Sequence, residues 1–297
     1  MNKIYKENFL KAGALAKLVR AFGKSLIVPG ASYNDVIKQI NEKITELGAI
    51  AAFPPQIALD NVAAHYLPDP DQDITFSNQL IKLDIGVCYN GAIGDCAVTV
   101  DLSGKYQKVI EATERALQEA EKIIKVDLPI RQIGQIIEQT IVSYGFNPIR
   151  NLSGHGVGYY KIHTSPSIPN CDVQTNARIR PGMTFAIEPF ATDGYGLIYE
   201  VDKPTIFSFI QEKPLRSELA KQMLAKIKTY QGLPFAMHDF VSNEMPLHTV
   251  KSTLKELMKA GCIAGYGPLL EQANGMVAQA ENSVLVDEKG YVTISTR

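Results

Sequence analysis

A mixed α/β (α+β) fold built from two similar halves is predicted by three features of this sequence: paired amphipathic helices, a β-hairpin between the pairs, and an element order that occurs twice. From Tyr5 to about Phe22 the apolar positions Leu10, Ala14, Leu15, Leu18, Val19 and Phe22 recur at helical spacing, until Pro29-Gly30 breaks the pattern. Ser32 can cap a second helix carrying Val36, Ile37, Ile40, Ile44 and Leu47, which Gly48 ends. Ala49 to Tyr66, with Phe53-Pro54-Pro55, reads as irregular and partly extended. Leu80 to Leu102 alternates, is rich in β-formers and contains Asn90-Gly91, the signature of a two-residue hairpin turn. Tyr106 to Lys125 and Pro129 to Tyr144 are again amphipathic helices, the second ended by Gly145. The order helix, helix, glycine, Pro-containing run, histidine thus repeats: Gly48 precedes His65 by 17 residues and Gly145 precedes His163 by 18. Ile179 to Phe190 predicts a Pro-Gly turn and a buried strand ending at Glu188-Pro189. Helices over Ser217 to Tyr230 and Thr249 to Ala260 then stand as an insertion before strand-like Met276 to Val286 and Tyr291 to Ser295.

Composition narrows the function. The 297 residues include 30 basic and 31 acidic side chains, so the net charge of -1 offers no general attraction to nucleic acid. With 45% hydrophobic and 21% charged residues, the chain has the makeup of a protein with a sizeable core. No apolar run approaches the roughly 20 residues of a membrane span. The first residues alternate charged and apolar positions, unlike a signal peptide, so a cytoplasmic location is expected. Cys88, Cys96, Cys171 and Cys262 form no C-x-x-C pair and read as reduced thiols.

Chemistry concentrates in a few places. Asp84 and Asp95 lie on the two arms of the hairpin, in KLDIG and IGDCAV. A two-residue turn at Asn90-Gly91 makes paired positions sum to 181, while these two sum to 179. They are therefore diagonal neighbours, or directly opposed if a bulge at Gly94 shifts the register, and both can point to one face. Two carboxylates in a mostly apolar sheet repel, which is relieved by a raised pKa or a bound cation. His155 sits in the glycine-rich NLSGHG, Glu188 ends an apolar strand, and Glu281 lies in AQAEN. Each of these alone is also what an ordinary turn or exposed strand end carries. Together they make four carboxylates and one imidazole, an oxygen-rich set suited to two divalent ions that activate a shared water. Cys96 falls on the opposite face from Asp95 by alternation.

The segments KLDIGVCYNGAIGDCAVTV, NLSGHGVGYYKIH, RPGMTFAIEPFAT and VAQAENSVLV resemble the metal-binding sequence of methionine aminopeptidases, and among them the archaeal form of type II. The resemblance covers nearly the whole chain, including KAGALAKLVR, AFPPQIALDNVAAHYLP and KPLRSELAKQMLAKI. It implies a pita-bread fold: pseudo-two-fold halves, a curved antiparallel sheet flanked by helices, one catalytic domain over 1-297, and a winged-helix-like helical insertion over 195-262. It implies that Asp84 and Asp95 bridge or chelate two divalent ions (Co, Mn, Fe or Zn), that His155 binds one, that Glu188 is a ligand beside the water and that Glu281 bridges both. Glu188 is then the group that takes and passes on the water's proton. His65 and His163 match the two histidines that contact the substrate amide. Phe53 and Tyr266, with Pro234 nearby, match the slot for the methionine side chain. The implied reaction removes the initiator methionine from nascent chains, at the ribosome, when the second residue is small, by a monomer without membrane or nucleic-acid partners.

Spacing supports this class over its relatives. The 93 residues from Glu188 to Glu281 hold the helical insertion, and the 83 before Asp84 leave no room for the N-terminal domain of prolidases. A non-catalytic module of the same fold that binds protein or RNA predicts lost ligands, whereas all five are present. Ala280 and Asn282 stand where the family carries phenylalanine and histidine, Thr164-Ser165-Pro166 replaces an Ala-Gly run, and Asn151 occupies a position where prolidases carry histidine. These departures bear on metal tuning and on the loop beside His163.

Overall fold

The computed structural model describes residues 1-297. The first half contains α1 (Lys3–Leu26), α2 (Tyr33–Glu46), the short strands β1 (Ile50–Ala51), β2 (Gln56–Leu59) and β3 (Val62–Ala64), and the long hairpin β4 (Leu80–Tyr89) and β5 (Ala92–Asp101). The second half contains α3 (Gln107–Ile123), α4 (Ile130–Ser143), β6 (Asn147–Pro148), β7 (Ser153–Gly158), β8 (Lys161–Pro169), β9 (Thr184–Ile187) and β10 (Phe190–Thr192). Next come β11 (Ile198–Glu200), β12 (Ile206–Phe209), α5 (Glu218–Thr229), β13 (Phe235–Ala236), α6 (Leu247–Ala260) and β14 (Ile263–Tyr266). The chain closes with β15 (Leu269–Glu271), β16 (Val277–Gln279), β17 (Asn282–Val286) and β18 (Val292–Ile294).

Local chemistry sets the helix ends. The Ser32 hydroxyl accepts from the Asp35 amide at 3.1 Å and Ser217 does the same for Ala220 at 3.2 Å. Gly261, left-handed at φ 71, closes α6. The helix pairs then repeat one packing scheme. Leu15 and Val19 of α1 and Ile40 of α2 lie against Ile81, Leu83 and Ile85, the odd-numbered face of β4. Ile133, Ile137 and Ile141 of α4 lie against Ile168, Phe185 and Ile187 of the second sheet, whose order is β18-β17-β9-β7-β8. Alternation turns the intervening residues of each sheet to the opposite face, where on the second sheet Thr184 meets Tyr5 of α1 at 3.5 Å. The α5–α6 unit carries a core of its own, in which Met223, Leu254 and Leu257 cover Phe207 and Phe235 of the sheet β13-β12-β14.

All strand pairs are antiparallel, and β4 and β5 pair continuously from Leu80↔Asp101 to Tyr89↔Ala92. Asp84 faces Ala97 and Asp95 faces Gly86, so the two aspartates are diagonal on one face and Gly94 introduces no bulge. The turn residues Asn90 and Gly91 have φ 48 and 81, as the two-residue turn demands. Within the stretch read as irregular, β1 and β2 both pair with β4, on either side of Phe53-Pro54-Pro55. Those strands are stabilised by a partner some thirty residues away, which local pattern does not reveal.

One seam joins the halves. Thr99 Oγ1 donates to the Gln279 carbonyl at 2.6 Å and accepts from the Gln279 amide at 2.8 Å. Ala97 and Glu281 exchange longer backbone bonds at 3.4 Å. Ser283 Oγ then accepts from the Asp95 amide at 2.8 Å and donates to the Asp95 carbonyl at 2.9 Å. Two hydroxyls thus stand in for backbone pairing and carry Asp95 to the side of Glu281. Ser283→Ala strips both partners from a buried peptide and should lower the unfolding free energy of the metal-free protein by about 2 kcal/mol. Urea titration measures this, and a midpoint equal to that of the parent protein would show that the hydroxyl does not carry the seam.

Candidate metal centre

The opposite faces enclose a cavity of about 980 Å³ lined by every residue that the resemblance gives a metal or substrate role: Phe53, His65, Asp84, Asp95, His155, His163, Glu188, Tyr266, Glu281 and Pro234. Asp84 and Asp95 come from the hairpin, His155 from β7, Glu188 from the break after β9, and Glu281 from the break between β16 and β17. Glycine makes these approaches possible. A Cβ at residue 154 would overlap the Ala186 carbonyl, so only glycine lets β7 bring His155 this close to β9. A Cβ at residue 86 would overlap the Phe53 ring, which lies across β4 next to Asp84.

Donor atoms of Asp95, His155 and Glu281 all lie within 4.8 Å of one another, and so do those of Asp84, Glu188 and Glu281. Glu281 belongs to both triads, which is the geometry of a bridging carboxylate. His155 Nε2 is 3.8 Å from Asp95 Oδ2. Its Nδ1 is 3.2 Å from the Gly156 carbonyl, an acceptor that assigns the ring proton to Nδ1 and leaves the Nε2 lone pair facing the cluster. Gln279 Nε2 donates to Glu188 Oε1 at 2.7 Å and to Asp84 Oδ2 at 3.4 Å.

Burial dominates the electrostatics. It pushes the Asp84 carboxyl up to about 7 and raises Asp95, Glu188 and Glu281 well above the usual carboxylate range, with neighbouring carboxylates adding to the shift in those three. Burial and then His163 lower His65 to about 4 and His155 to about 3, and burial lowers His163 too. The histidines are therefore neutral near pH 7. Asp84 Oδ1, Asp95 Oδ1 and Glu281 Oε2 are buried with no hydrogen-bond partner. Hard divalent cations would satisfy such oxygens, so the donor set fits a pair of such ions.

The site also contains residues that the sequence did not single out. Gln279 bridges two carboxylates, and Gln56, paired with Asp84 across β2 and β4, holds the backbone of His65. Ile162 and Leu269 extend the apolar lining near Phe53 and Tyr266. Glutamines and branched aliphatics are common in strands, so only position marks them. Asn282 points away from the cavity. Its amide donates to Glu121 Oε1 at 2.7 Å and accepts from Arg20 at 3.0 Å and Thr296 at 2.8 Å, so the residue belongs to a network behind Glu281. Ala280 belongs to the core, while Thr164 and Ser165 line the cavity beside His163. All four cysteines are free and buried, Cys96 among the core residues on the far side of the hairpin.

Two triads of hard donors sharing one carboxylate, on a floor between two similar α/β halves, define a protein that works with a pair of divalent cations. The chain belongs to metallopeptidase family M24, whose model matches residues 7-288. A methionine aminopeptidase of Methanocaldococcus jannaschii is 40% identical over 293 residues, 98% of each chain. Among solved structures, a methionine aminopeptidase from Thermotoga maritima superposes with TM-score 0.72 at 22% identity, covering 100% of this chain and 98% of that one. A thermophilic Arx1 superposes with TM-score 0.86 at 14% identity, covering 99% and 91%. The pita-bread fold is thereby established.

The raised carboxylate pKa values predict a specific pH linkage. A group raised in the folded state contributes its stability below its unfolded value, and loses it as pH rises through the folded value, about 7 for Asp84. His65 and His155 act oppositely, costing stability as pH falls below about 6.5. Cations replace the carboxyl protons and relieve only the first cost. Added Mn should raise Tm more at pH 8 than at pH 5.5, and calorimetry at pH 6 in buffers of different ionisation enthalpy should read net proton release. An increment independent of pH, with no protons released, contradicts a protonated floor.

Proposed function

We propose that this chain is a dinuclear metal-dependent aminopeptidase that removes N-terminal methionine from polypeptides whose second residue is small. The observation that carries the reading is the pair of donor triads sharing Glu281 in a cavity whose lining also includes Phe53, Tyr266 and Pro234. Asp84, Asp95, His155, Glu188 and Glu281 would hold two divalent cations, which when bound polarise the scissile carbonyl and lower the pKa of a shared water. Glu188 keeps Oε1 on Gln279, leaving Oε2 to take the water's proton and pass it to the departing amine. The rings of His65 and His163, neutral through burial, can donate N–H to the substrate carbonyl oxygen as charge develops there. His65 Nδ1 is buried with no partner of its own, as a group awaiting a substrate atom would be. Phe53 and Tyr266 offer a flexible thioether an apolar slot.

The identity to a named aminopeptidase supports the same substrate class. The overlay on Arx1 speaks for the fold alone, since one fold can host both catalysts and binding modules. No helix is long and apolar enough to cross a membrane. The proposal extends to a cytoplasmic monomer that meets nascent chains at the ribosome.

Metal-stripped protein supplied with Mn or Co should release free methionine from Met-Ala-Ser and not from Met-Lys-Ser. Glu188→Ala should cut the rate by at least about 100-fold, the scale of a lost general base. A folded protein that releases no methionine with any cation would reject the reading.

A further inference from the structure

His65 has an unusual backbone. Its φ is 58, in the left-handed region that a non-glycine residue avoids, so something other than local preference must hold it. Two side chains do. Gln56 Oε1 accepts from the His65 amide at 2.7 Å, and Thr205 Oγ1 donates to the His65 carbonyl at 2.6 Å. Gln56 belongs to the hairpin sheet, next to Asp84. Thr205 belongs to the α5–α6 unit: it is buried just before β12, and its amide donates to the Tyr266 carbonyl at 3.0 Å. That bond places Thr205 beside Tyr266, whose ring centre is 6.2 Å from that of His65.

The same unit grips the residues that follow. Leu67 packs with Ile206 and Ala236 in a small buried cluster. Asp69, only 6% exposed, receives Lys251 Nζ at 2.8 Å and Lys203 Nζ at 3.3 Å. A hydrogen bond, an apolar cluster and an ion pair thus fix 65-69 at three successive points, all from one unit.

We infer that Thr205 is a positioning residue for His65, and that the α5–α6 unit serves as a clamp whose grip on 65-69 sets the imidazole's direction into the cavity. The inference rests on the proposed role of His65 in substrate binding, but the clamp can be tested without it. Thr205→Val removes the donor at nearly constant volume, and Thr205→Ser restores it. In zinc-supplied protein labelled at histidine 13Cε1, the His65 resonance, assigned by its loss in His65→Ala, should shift or broaden in Thr205→Val and return to its place in Thr205→Ser. With Mn, Thr205→Val should lose at least about tenfold in kcat for Met-Ala-Ser while KM stays within about twofold, and Thr205→Ser should recover most of it. Mn affinity by calorimetry should match the parent, since no metal donor is touched.

An unmoved His65 signal in folded Thr205→Val, or equal loss of kcat in both variants, overturns the clamp. If the parent protein releases no methionine, the proposed function falls while the resonance still decides the clamp. If Thr205→Val does not fold, Asp69→Asn takes its place, because it slackens the same grip from Lys203 and Lys251. A His65 signal unchanged there overturns the inference as well.

Discussion

Four carboxylates share one floor, Asp95 and Glu281 buried and Asp84 and Glu188 half-buried, and withdrawing a carboxylate from water costs several kcal/mol before mutual repulsion is counted. The arrangement must therefore be enforced by the rest of the molecule, and most of the fold can be understood as that enforcement. Helix pairs cover the back of each sheet, leaving the facing sides to meet. The seam from Thr99 to Ser283 then fixes the hairpin against the 279-283 segment, and with it Asp95 against Glu281. Gln279 spends its amide protons on Glu188 and Asp84, the carboxylates outside the His155 triad. None of these contacts removes the electrostatic cost. They prevent the cluster from relaxing apart, so that protons or cations are what is left to neutralise it.

The imidazoles face the opposite problem. Burial disfavours a charged ring, so His65, His155 and His163 stay neutral where a charged ring could have partly offset the carboxylates. Neutrality is what each role needs. A metal ligand must offer a lone pair, and in that proposed role His155 would have one free because the Gly156 carbonyl takes its other nitrogen. A substrate donor near an electron-poor carbonyl needs an N–H without net positive charge nearby to repel the cations. The low dielectric that makes the carboxylates demand cations thus also keeps the rings in the state that can work beside them.

Much of this was legible in the sequence, for a definite reason. Helices α1 to α4 announce themselves through apolar spacing, and Asn90-Gly91 alone sets the hairpin register that makes Asp84 and Asp95 diagonal. The candidate ligand set was readable only in combination: each of the four carboxylates and the imidazole is ordinary alone, and it is their number on β-type or glycine-rich segments that pointed to cations. The seam was not, since Thr99 and Gln279 are 180 residues apart and a strand threonine is unremarkable. Strands β1 and β2 were hidden for the same reason, because their partner β4 comes later in the chain. Asn282 stands beside Glu281 in the chain, but only the structure shows that its amide bonds Glu121, Arg20 and Thr296 behind that carboxylate. Thr205 gave no signal at all: its meaning lies in the strained residue it touches.

The fold by itself does not decide between a catalyst and a binding module, and the overlay on Arx1 shows how far the backbone can be shared between differently named proteins. The donor set does discriminate, on energetic grounds. Replacing buried charged groups by apolar ones of similar volume commonly leaves a protein as stable or more so, by roughly 1 to 4 kcal/mol. A binding module therefore gains nothing from Asp84, Asp95, Glu188 and Glu281 side by side, and least of all from three carboxylate oxygens left without partners. Only a ligand that pays that cost makes the cluster sensible, and the hard oxygen donors with one nitrogen specify divalent cations. Because Glu281 belongs to both triads, two cations held there would share a ligand, and a shared ligand would let them act on one substrate carbonyl rather than as separate sites.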